Sequence, residues 1–334
     1  MTIKIGINGL GRIGRCVARA LIAEGYDDIQ LVAANGSAAN ANHAHLLQYD
    51  SVHGRFQNKI TFDDAGIDMG KGQIQITHER DPAKIDWAAL GVDVVLECTG
   101  AFNSKEAAAV HLASGAKRVL ISAPAGDDCP TFVYGVNCAK LTAEHTVFSV
   151  GSCTTNALAP IAKVLDDAFG IESGFMTTIH AYTGDQNLVD GSHKDLQRAR
   201  AAGLSMVPSK TGAAKAIGLV LPQLAGKLDG VAIRVPTPNV SLVDLTVVTK
   251  KTATKDAVND ALIAASKTML PNVLKVNAAP LVSIDFSGDN GSSIVDLAST
   301  KLVGGNLVRV ASWYDNEWGF SCRMLDLVRK VAKF

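Results

Sequence analysis

No sign of charge dominates this chain. Lys+Arg and Asp+Glu number 32 each, so the formal net charge is zero. Without an overall basic field it does not recruit nucleic acid or an anionic membrane by charge, and any anion must be bound locally. No apolar run approaches the length of a membrane span. The opening Met1-Thr2-Ile3-Lys4-Ile5 reads as a strand and not as a signal peptide. Six cysteines are scattered without a CxxC pair or a metal-like cluster. That pattern argues against a disulfide framework and a zinc site and predicts a reducing, cytoplasmic setting. Internal repeats and low-complexity tracts are missing too. What remains is ordinary globular composition, 47% hydrophobic and 19% charged, over 334 residues. That is enough chain for about two domains with sizeable cores.

The first half alternates strands with helices. Thr2–Asn8 reads as a strand, Gly9-Leu10-Gly11-Arg12-Ile13-Gly14 follows at once, and Ile13–Ala23 reads as a helix. This is GxGxxG in a strand–turn–helix context. Its glycines allow the tight turn, close approach of a pyrophosphate and close helix–strand packing. Further strands are expected at Ile29–Ala34, Val92–Glu97, Arg118–Ser122 and Thr146–Val150, and a helix capped by Asn103-Ser104-Lys105-Glu106 runs to Ala113. Strands alternating with helices predict an α/β fold, a doubly wound parallel sheet of Rossmann type. Ligands of such sheets lie at the carboxyl ends of the strands. Gly9, Asn35, Thr99, Gly100, Ser122 and Gly151 fall at those ends. One expected residue is absent. After the second strand a dinucleotide fold usually places an acid against the ribose 2′-hydroxyl, yet the chain reads Asn35-Gly36-Ser37 and the next acid is Asp50. Nothing there repels a 2′-phosphate, and Ser37 has a hydroxyl to offer one. The other reading is that Asn35 alone holds the ribose of NAD.

The stretch Ser149–Asn156 reads as a strand end, a Gly151-Ser152 turn and the first turn of a helix. Cys153 then sits where unpaired N–H groups converge, a placement that favours thiolate. The same N–H groups suit an oxyanion, or a phosphate beside Ser152 and Thr154. A Cys buried behind a helix cap is the plainer alternative. Pro160 is expected to bend or shorten the helix. Beyond it, strands are expected at Phe175–Tyr182, Val231–Val235, Leu242–Thr249, Leu281–Phe286, Ser293–Leu297 and Leu307–Trp313. Helices are expected at Ala213–Gln223, Lys255–Met269 and from Asp315 onward. Long strands with few helices predict a second, α+β domain with a mixed or antiparallel sheet. The polar stretch from Thr183 to Met206 is long for a structureless loop and points to function or an interface, although its cations Lys194, Arg198 and Arg200 also suit a solvated face. Arg234, inside an apolar strand, is either half of an ion pair or a ligand clamp.

Ser152-Cys-Thr-Thr-Asn156, His180-Ala-Tyr-Thr-Gly-Asp-Gln186, Thr211-Gly-Ala-Ala-Lys215, Arg234-Val-Pro-Thr-Pro-Asn-Val240 and Trp313-Tyr-Asp-Asn-Glu-Trp318 together resemble phosphorylating glyceraldehyde-3-phosphate dehydrogenase, from residue 3 to about 330. The resemblance implies Cys153 as the nucleophile that forms a hemithioacetal and then a thioester, and His180 as the base. It implies Thr183, Asp185 and Arg234 around the substrate's own phosphate, with Asp185 orienting Arg234. Ser152, Thr154, Thr211, Gly212 and Arg198 would surround the attacking inorganic phosphate. Gly9, Gly11, Arg12, Ile13, Gly14, Asn35, Gly36, Ser37, Arg80, Thr99, Gly100, Ser122, Ser192 and Asn316 would contact the cofactor, Asn316 at the nicotinamide carboxamide. It implies no metal. It further implies a homotetramer, a cytoplasmic place in glycolysis or gluconeogenesis, and three segments: 1–152 for the dinucleotide, 153–315 for catalysis and 316–334 packing back on the first.

The departures from the family pattern bear on the cofactor. Gly36 replaces the NAD-specific Asp, and Gly191-Ser192 replaces a Leu-Pro pair of NAD-dependent members. Together they imply that NADP is accepted beside NAD. Lys210 stands where Ser or Thr is usual and is expected to face solvent. Phe320 replaces a usual Tyr, with no functional account. Erythrose-4-phosphate dehydrogenase is the nearest rival, disfavoured by Thr183, Thr211 and Gly212. A non-catalytic binding protein on the same fold is disfavoured by the Cys153–His180 pair.

Overall fold

The glycine-rich turn shows why the first sheet begins as it does. A Cβ on Gly14 would lie 2.1 Å from the carbonyl oxygen of Gly9, and one on Gly9 would meet the backbone of Cys98 and Thr99 at 2.8–2.9 Å. The helix Arg12–Ala23 therefore packs backbone to backbone against the end of the strand Ile3–Asn8. Its inner face carries Cys16, Val17, Ala20 and Leu21. The computed structural model describes residues 2–268 and 273–334, which fall into two compact units. Unit 1 comprises 1–132, 140–151 and 321–334; unit 2 comprises 133–139 and 152–320.

Unit 1 is built on an eight-stranded sheet. Its order is Val147–Ser149, Arg118–Ile121, Val94–Glu97, Ile3–Asn8, Ile29–Asn35, Gln73–Thr77, Gly66–Asp68 and Thr61–Phe62. The first six strands run parallel, and the last two turn back antiparallel at one edge. Strand order reverses on either side of Ile3–Asn8, which is the switch point of a doubly wound sheet. The segment after Ser104 departs from the single helix expected. It forms two short pieces, Lys105–Ala108 and Val110–Ala113, because the Ala109 N–H is shared between the carbonyls of Lys105 and Glu106. Residues 321–334 are tied into this unit by Tyr26, whose hydroxyl donates to Cys322 O and Asp326 Oδ1 at 3.2 and 3.1 Å.

Unit 2 carries a mixed eight-stranded sheet. Leu228–Val235 lies parallel to Ile171–Ala181, and Ser241–Thr249 and Leu307–Tyr314 follow antiparallel. In Ser241–Thr249 every second residue is buried. Val243, Leu245 and Val247 thus join Leu158, Ile161 and Leu165 of the helix Cys153–Phe169 in one core. Pro160 does not shorten that helix, which runs unbroken to Phe169. The strand expected at Leu281–Phe286 is instead a 3₁₀ turn, Ser283–Phe286. Asp285 folds back to accept the Val282 N–H at 2.8 Å, and Val282 and Ile284 stay exposed, so no burial rewards an extended run. The helix expected to Gln223 ends at Val220, since Pro222 forces Leu221 out of helical geometry. The next helix, Lys255–Lys267, ends before Met269, which lies outside the described residues. The polar stretch 183–206 holds only one regular turn among the described residues, Ala202–Leu204.

Gly14→Ala sets two effects against each other. Alanine favours a helix by roughly 1 kcal/mol over glycine, but a methyl 2.1 Å from Gly9 O overpacks the turn, at a cost of about 1–3 kcal/mol. A net loss of stability is expected, read as a lower urea midpoint by circular dichroism. An unchanged or raised midpoint would show that the helix is free to move off the strand.

Candidate active site

Cys153 is the first residue of its helix, and the residue before it is the cap. Ser152 is extended, with φ −96° and ψ 165°, and its hydroxyl accepts the Thr155 N–H at 3.0 Å. Gly151 at φ +75° makes the turn that a side chain would strain. Capping consumes the Thr155 N–H and leaves those of Cys153 and Thr154 facing the Cys153 sulfur.

His180 comes from the strand Ile171–Ala181, whose parallel neighbour places Arg234 directly beside it. The His180 ring is buried, with Nε2 3.5 Å from Cys153 Sγ. Its other nitrogen, Nδ1, lies 2.7 Å from Ala181 O. A carbonyl only accepts, so Nδ1 carries the proton and Nε2 turns its lone pair to the thiol. Arg234 Nη1 lies 3.0 Å from Nδ1 and donates to the same carbonyl at 3.2 Å. Burial, then the Arg234 charge, push His180 down to about 3. Burial also raises Cys153 above its ordinary value, against the opposing pull of Arg234 and of the helix N–H groups. The helix terminus and Arg234 act toward the thiolate, and desolvation acts against them.

The residues expected around phosphate divide differently from the expectation. Thr183 Oγ1 is 3.5 Å from Arg234 Nη1, so these two face each other. Asp185 does not orient Arg234. It pairs with Arg198 and lies 3.6 Å from His193. Burial raises Asp185, but the Arg198 hydrogen bond and charge outweigh it and hold the carboxyl below its usual range. Arg198 is also held by Ser209 Oγ at 3.3 Å and Lys210 O at 3.4 Å. Thr211 accepts the Ala213 N–H at 3.2 Å, and Gly212 caps the helix Ala213–Val220. Ser152 and Thr154 do not offer free hydroxyls. The first caps its helix, and the second is buried against Tyr314 Oη at 2.9 Å. Lys210 is exposed, as expected. Phe320 is buried.

Tyr314 was missed as a site residue. Its hydroxyl joins Thr154 and Thr178, each at 2.9 Å, and its ring stands edge-on to His180 with centroids 5.9 Å apart. Only its place in the Trp313–Trp318 motif marked it. Ser241 was missed as well. It takes the Ala181 N–H at 3.0 Å and donates to Asn316 Oδ1 at 2.9 Å, linking the His180 strand to Asn316. A polar residue at a buried register of an apolar strand was its signal.

Within unit 1, the helix Arg12–Ala23 starts at Gly11 with no side-chain cap, and Gly11 has open space around it. Those N–H groups suit a pyrophosphate. Arg12 is paired with Asp50, and Ile13 is half-buried. Ser37, Arg80, Thr99 and Gly100 are exposed, and Ser122 is half-buried and donates its N–H to Glu97 O. Asn35 does not stand ready for a ribose. Its amide donates to Asn8 Oδ1 and Glu79 O at 2.8 Å and accepts from Thr77 Oγ1 and Glu79 N at 2.9 Å. Gly191 and Ser192 lie exposed on the 183–206 stretch of unit 2.

A doubly wound sheet with an uncapped glycine-rich helix start, joined to a unit carrying a Cys–His pair, places the chain among the NAD(P)-binding dehydrogenases. Residues 3–105 match the family described as glyceraldehyde 3-phosphate dehydrogenase, NAD binding domain, and residues 152–316 match its C-terminal domain. The chain is 57% identical to glyceraldehyde-3-phosphate dehydrogenase of Xanthobacter flavus, over 100% of this chain and 99% of that protein. It is 55% identical to that of Pseudomonas aeruginosa over 99% of both chains, and 47% identical to glyceraldehyde-3-phosphate dehydrogenase 2 of Bacillus subtilis over 99% and 97%. The chain belongs to the glyceraldehyde-3-phosphate dehydrogenase family.

Arg234 lowers both partners of the pair, so Arg234→Leu is expected to raise both. The rate of Cys153 alkylation by iodoacetamide, followed against pH, should then rise to its plateau at higher pH than in the wild type. An unshifted profile would show that the Arg234 charge does not reach the sulfur.

Proposed function

We propose that the chain oxidises glyceraldehyde 3-phosphate with inorganic phosphate to 1,3-bisphosphoglycerate. The observation that carries this is Cys153 Sγ at 3.5 Å from a His180 nitrogen whose lone pair is left for the thiol. As Sγ adds to the aldehyde carbon, Nε2 takes the thiol proton, and the Cys153 and Thr154 N–H groups that face the sulfur stabilise its developing negative charge. The resulting hemithioacetal carries a C–H and an O–H. A bound nicotinamide supplies the hydride acceptor. The histidine, its first proton passed on, takes the hydroxyl proton as C=O forms, and the product on Cys153 is a thioester. Phosphate then attacks that carbonyl, the C–S bond breaks, and the leaving sulfur regains a proton. Without the thiol, oxidation in water would end at a free acid. Arg234 with Thr183 is suited to the substrate's own phosphate. Arg198, held in place by Asp185 and Ser209, and the start of the Ala213–Val220 helix are suited to inorganic phosphate.

The cofactor reading is NADP beside NAD. It is supported by Gly36 and by the small pair Gly191-Ser192, which leave no acid and no bulk against a 2′-phosphate. Asn316 is suited to the nicotinamide carboxamide, since the Ser241 hydroxyl engages its oxygen and leaves the amide N–H to donate. A homotetramer is supported by Leu188, Leu196, Leu204 and Met206, which are 74–87% exposed on the 183–206 stretch and suit burial against another copy. A cytoplasmic setting is supported by six free thiols. No helix among the described residues is long and apolar enough to cross a membrane.

Initial rates with glyceraldehyde 3-phosphate, phosphate and either NAD or NADP, followed by nicotinamide absorbance, are expected to show turnover with both. Cys153→Ala should lower kcat by at least about 10³-fold. Turnover with NAD alone would sink the NADP reading. A rate only with erythrose 4-phosphate would overturn the substrate, and full activity of Cys153→Ala would overturn the mechanism.

A further inference from the structure

Val240 is the one residue other than glycine, among the described residues, whose φ is positive, at 64°. A branched side chain rarely enters that region, and such strain persists only where the surroundings hold it. The side chain is buried against Phe286, Ile294 and Trp313. Its two neighbours are tied as well. Asn239 Nδ2 donates to Asp315 Oδ2 at 2.8 Å. Ser241 Oγ takes the Ala181 N–H at 3.0 Å and donates to Asn316 Oδ1 at 2.9 Å. The strained corner thus grips two consecutive residues, Asp315 and Asn316.

Asp315 is 1% exposed, and its carboxylate is filled by N–H donors. Oδ1 accepts the backbone N–H groups of Glu317 and Trp318 at 2.9 and 2.8 Å. Oδ2 accepts Asn239 Nδ2 and the Gly288 N–H, the latter at 2.7 Å. Only a group that accepts at both oxygens satisfies all of them, since an amide would turn its own N–H hydrogens on two of the donors. Capping the helix Trp318–Val331 needs only the Oδ1 pair, and the Oδ2 pair does nothing for that helix. The bond to Glu317 closes a turn with Asn316 at its centre, which fixes the Asn316 backbone. The bonds to Gly288 and Asn239 tie that turn to two other segments. Ser241 then sets the side chain, because its hydrogen has Asn316 Oδ1 as acceptor and the reversed amide would take that acceptor away.

We infer that Asp315 is a positioning residue for the reaction. Through the turn it closes and the strained corner at Val240, it holds the Asn316 amide with its oxygen on Ser241 and its N–H groups left for the nicotinamide carboxamide. This rests on the proposal that Asn316 meets the carboxamide. Asp315 acts through Asn316 and needs no contact of its own with the cofactor or the substrate.

Dissociation constants of NAD and of ADP-ribose, which lacks the nicotinamide, test it by titration calorimetry on the full chain. Asn316→Ala sets the reference: it should weaken NAD about tenfold, the size of a lost hydrogen bond, and leave ADP-ribose within about twofold. Asp315→Asn keeps the size and loses the all-accepting carboxylate. It should copy that pattern, with NAD about fivefold weaker and ADP-ribose within about twofold. A residue that only capped its helix would lower the urea midpoint and leave both constants unchanged, and that result would overturn the inference. Equal weakening of NAD and ADP-ribose would overturn it too, as a general loosening of the unit. If Asp315→Asn does not fold, Asn239→Leu takes its place, keeping the bulk and removing one donor to Oδ2. A larger loss for NAD than for ADP-ribose then supports the inference, and an unchanged ratio overturns it. Asn316→Ala without effect on either constant would overturn the carboxamide reading and this inference together. An effect of Asn316→Ala that Asp315→Asn, or Asn239→Leu in its place, does not reproduce overturns this inference alone.

Discussion

One capped helix start governs the chemistry. The Ser152 hydroxyl takes the Thr155 N–H, the Gly151 turn takes the positive φ, and Cys153 is left at the first position with two N–H groups facing its sulfur. A cap of this kind is worth about 1 kcal/mol of helix stability, but its larger effect is positional. It decides that the sulfur and the backbone donors share one spot. The helix behind it is anchored by Leu158, Ile161 and Leu165 in the core of the mixed sheet, so the spot is rigid.

The second half of the pair depends on strand register. His180 and Arg234 are neighbours because Ile171–Ala181 and Leu228–Val235 run parallel with those two residues opposed. The Ala181 carbonyl then sets the tautomer, and Tyr314, tied to Thr154 and Thr178, lines the ring's edge. Desolvation opposes charge on both partners, and a fixed guanidinium beside the pair favours an anion there. A chain of zero net charge thus places a cation, Arg234, beside the reactive pair. The partner acids follow the same local logic: Asp185 steadies Arg198, and Asp50 pairs with Arg12.

Much of the fold was legible because its signals are local. The alternation of strand and helix in the first half is written in apolar periodicity and glycine punctuation, and GxGxxG states its backbone approaches outright. Errors occurred where a run of apolar residues met no core. Leu281–Phe286 has strand-like composition, yet Asp285 turns it into a 3₁₀ segment with Val282 and Ile284 exposed. The helix after Ser104 broke at a shared Ala109 hydrogen bond that no pattern announces.

By itself the sequence determined the fold class, the family motifs, the helix that starts at Cys153 and the absence of an acid after Asn35. These rest on residue types within a few positions of one another, where backbone preference and capping act. Only the tertiary structure decided which polar groups are already spent. It used the hydroxyls of Ser152 and Thr154 and the whole amide of Asn35 internally, gave Asp185 to Arg198, and packed the buried His43 ring against Gly36. Whether a donor is free depends on every residue that packs around it, and those residues come from distant parts of the chain. The directions in which Cys153 and His180 are shifted depend on the tertiary structure in the same way, because desolvation is a property of the surroundings.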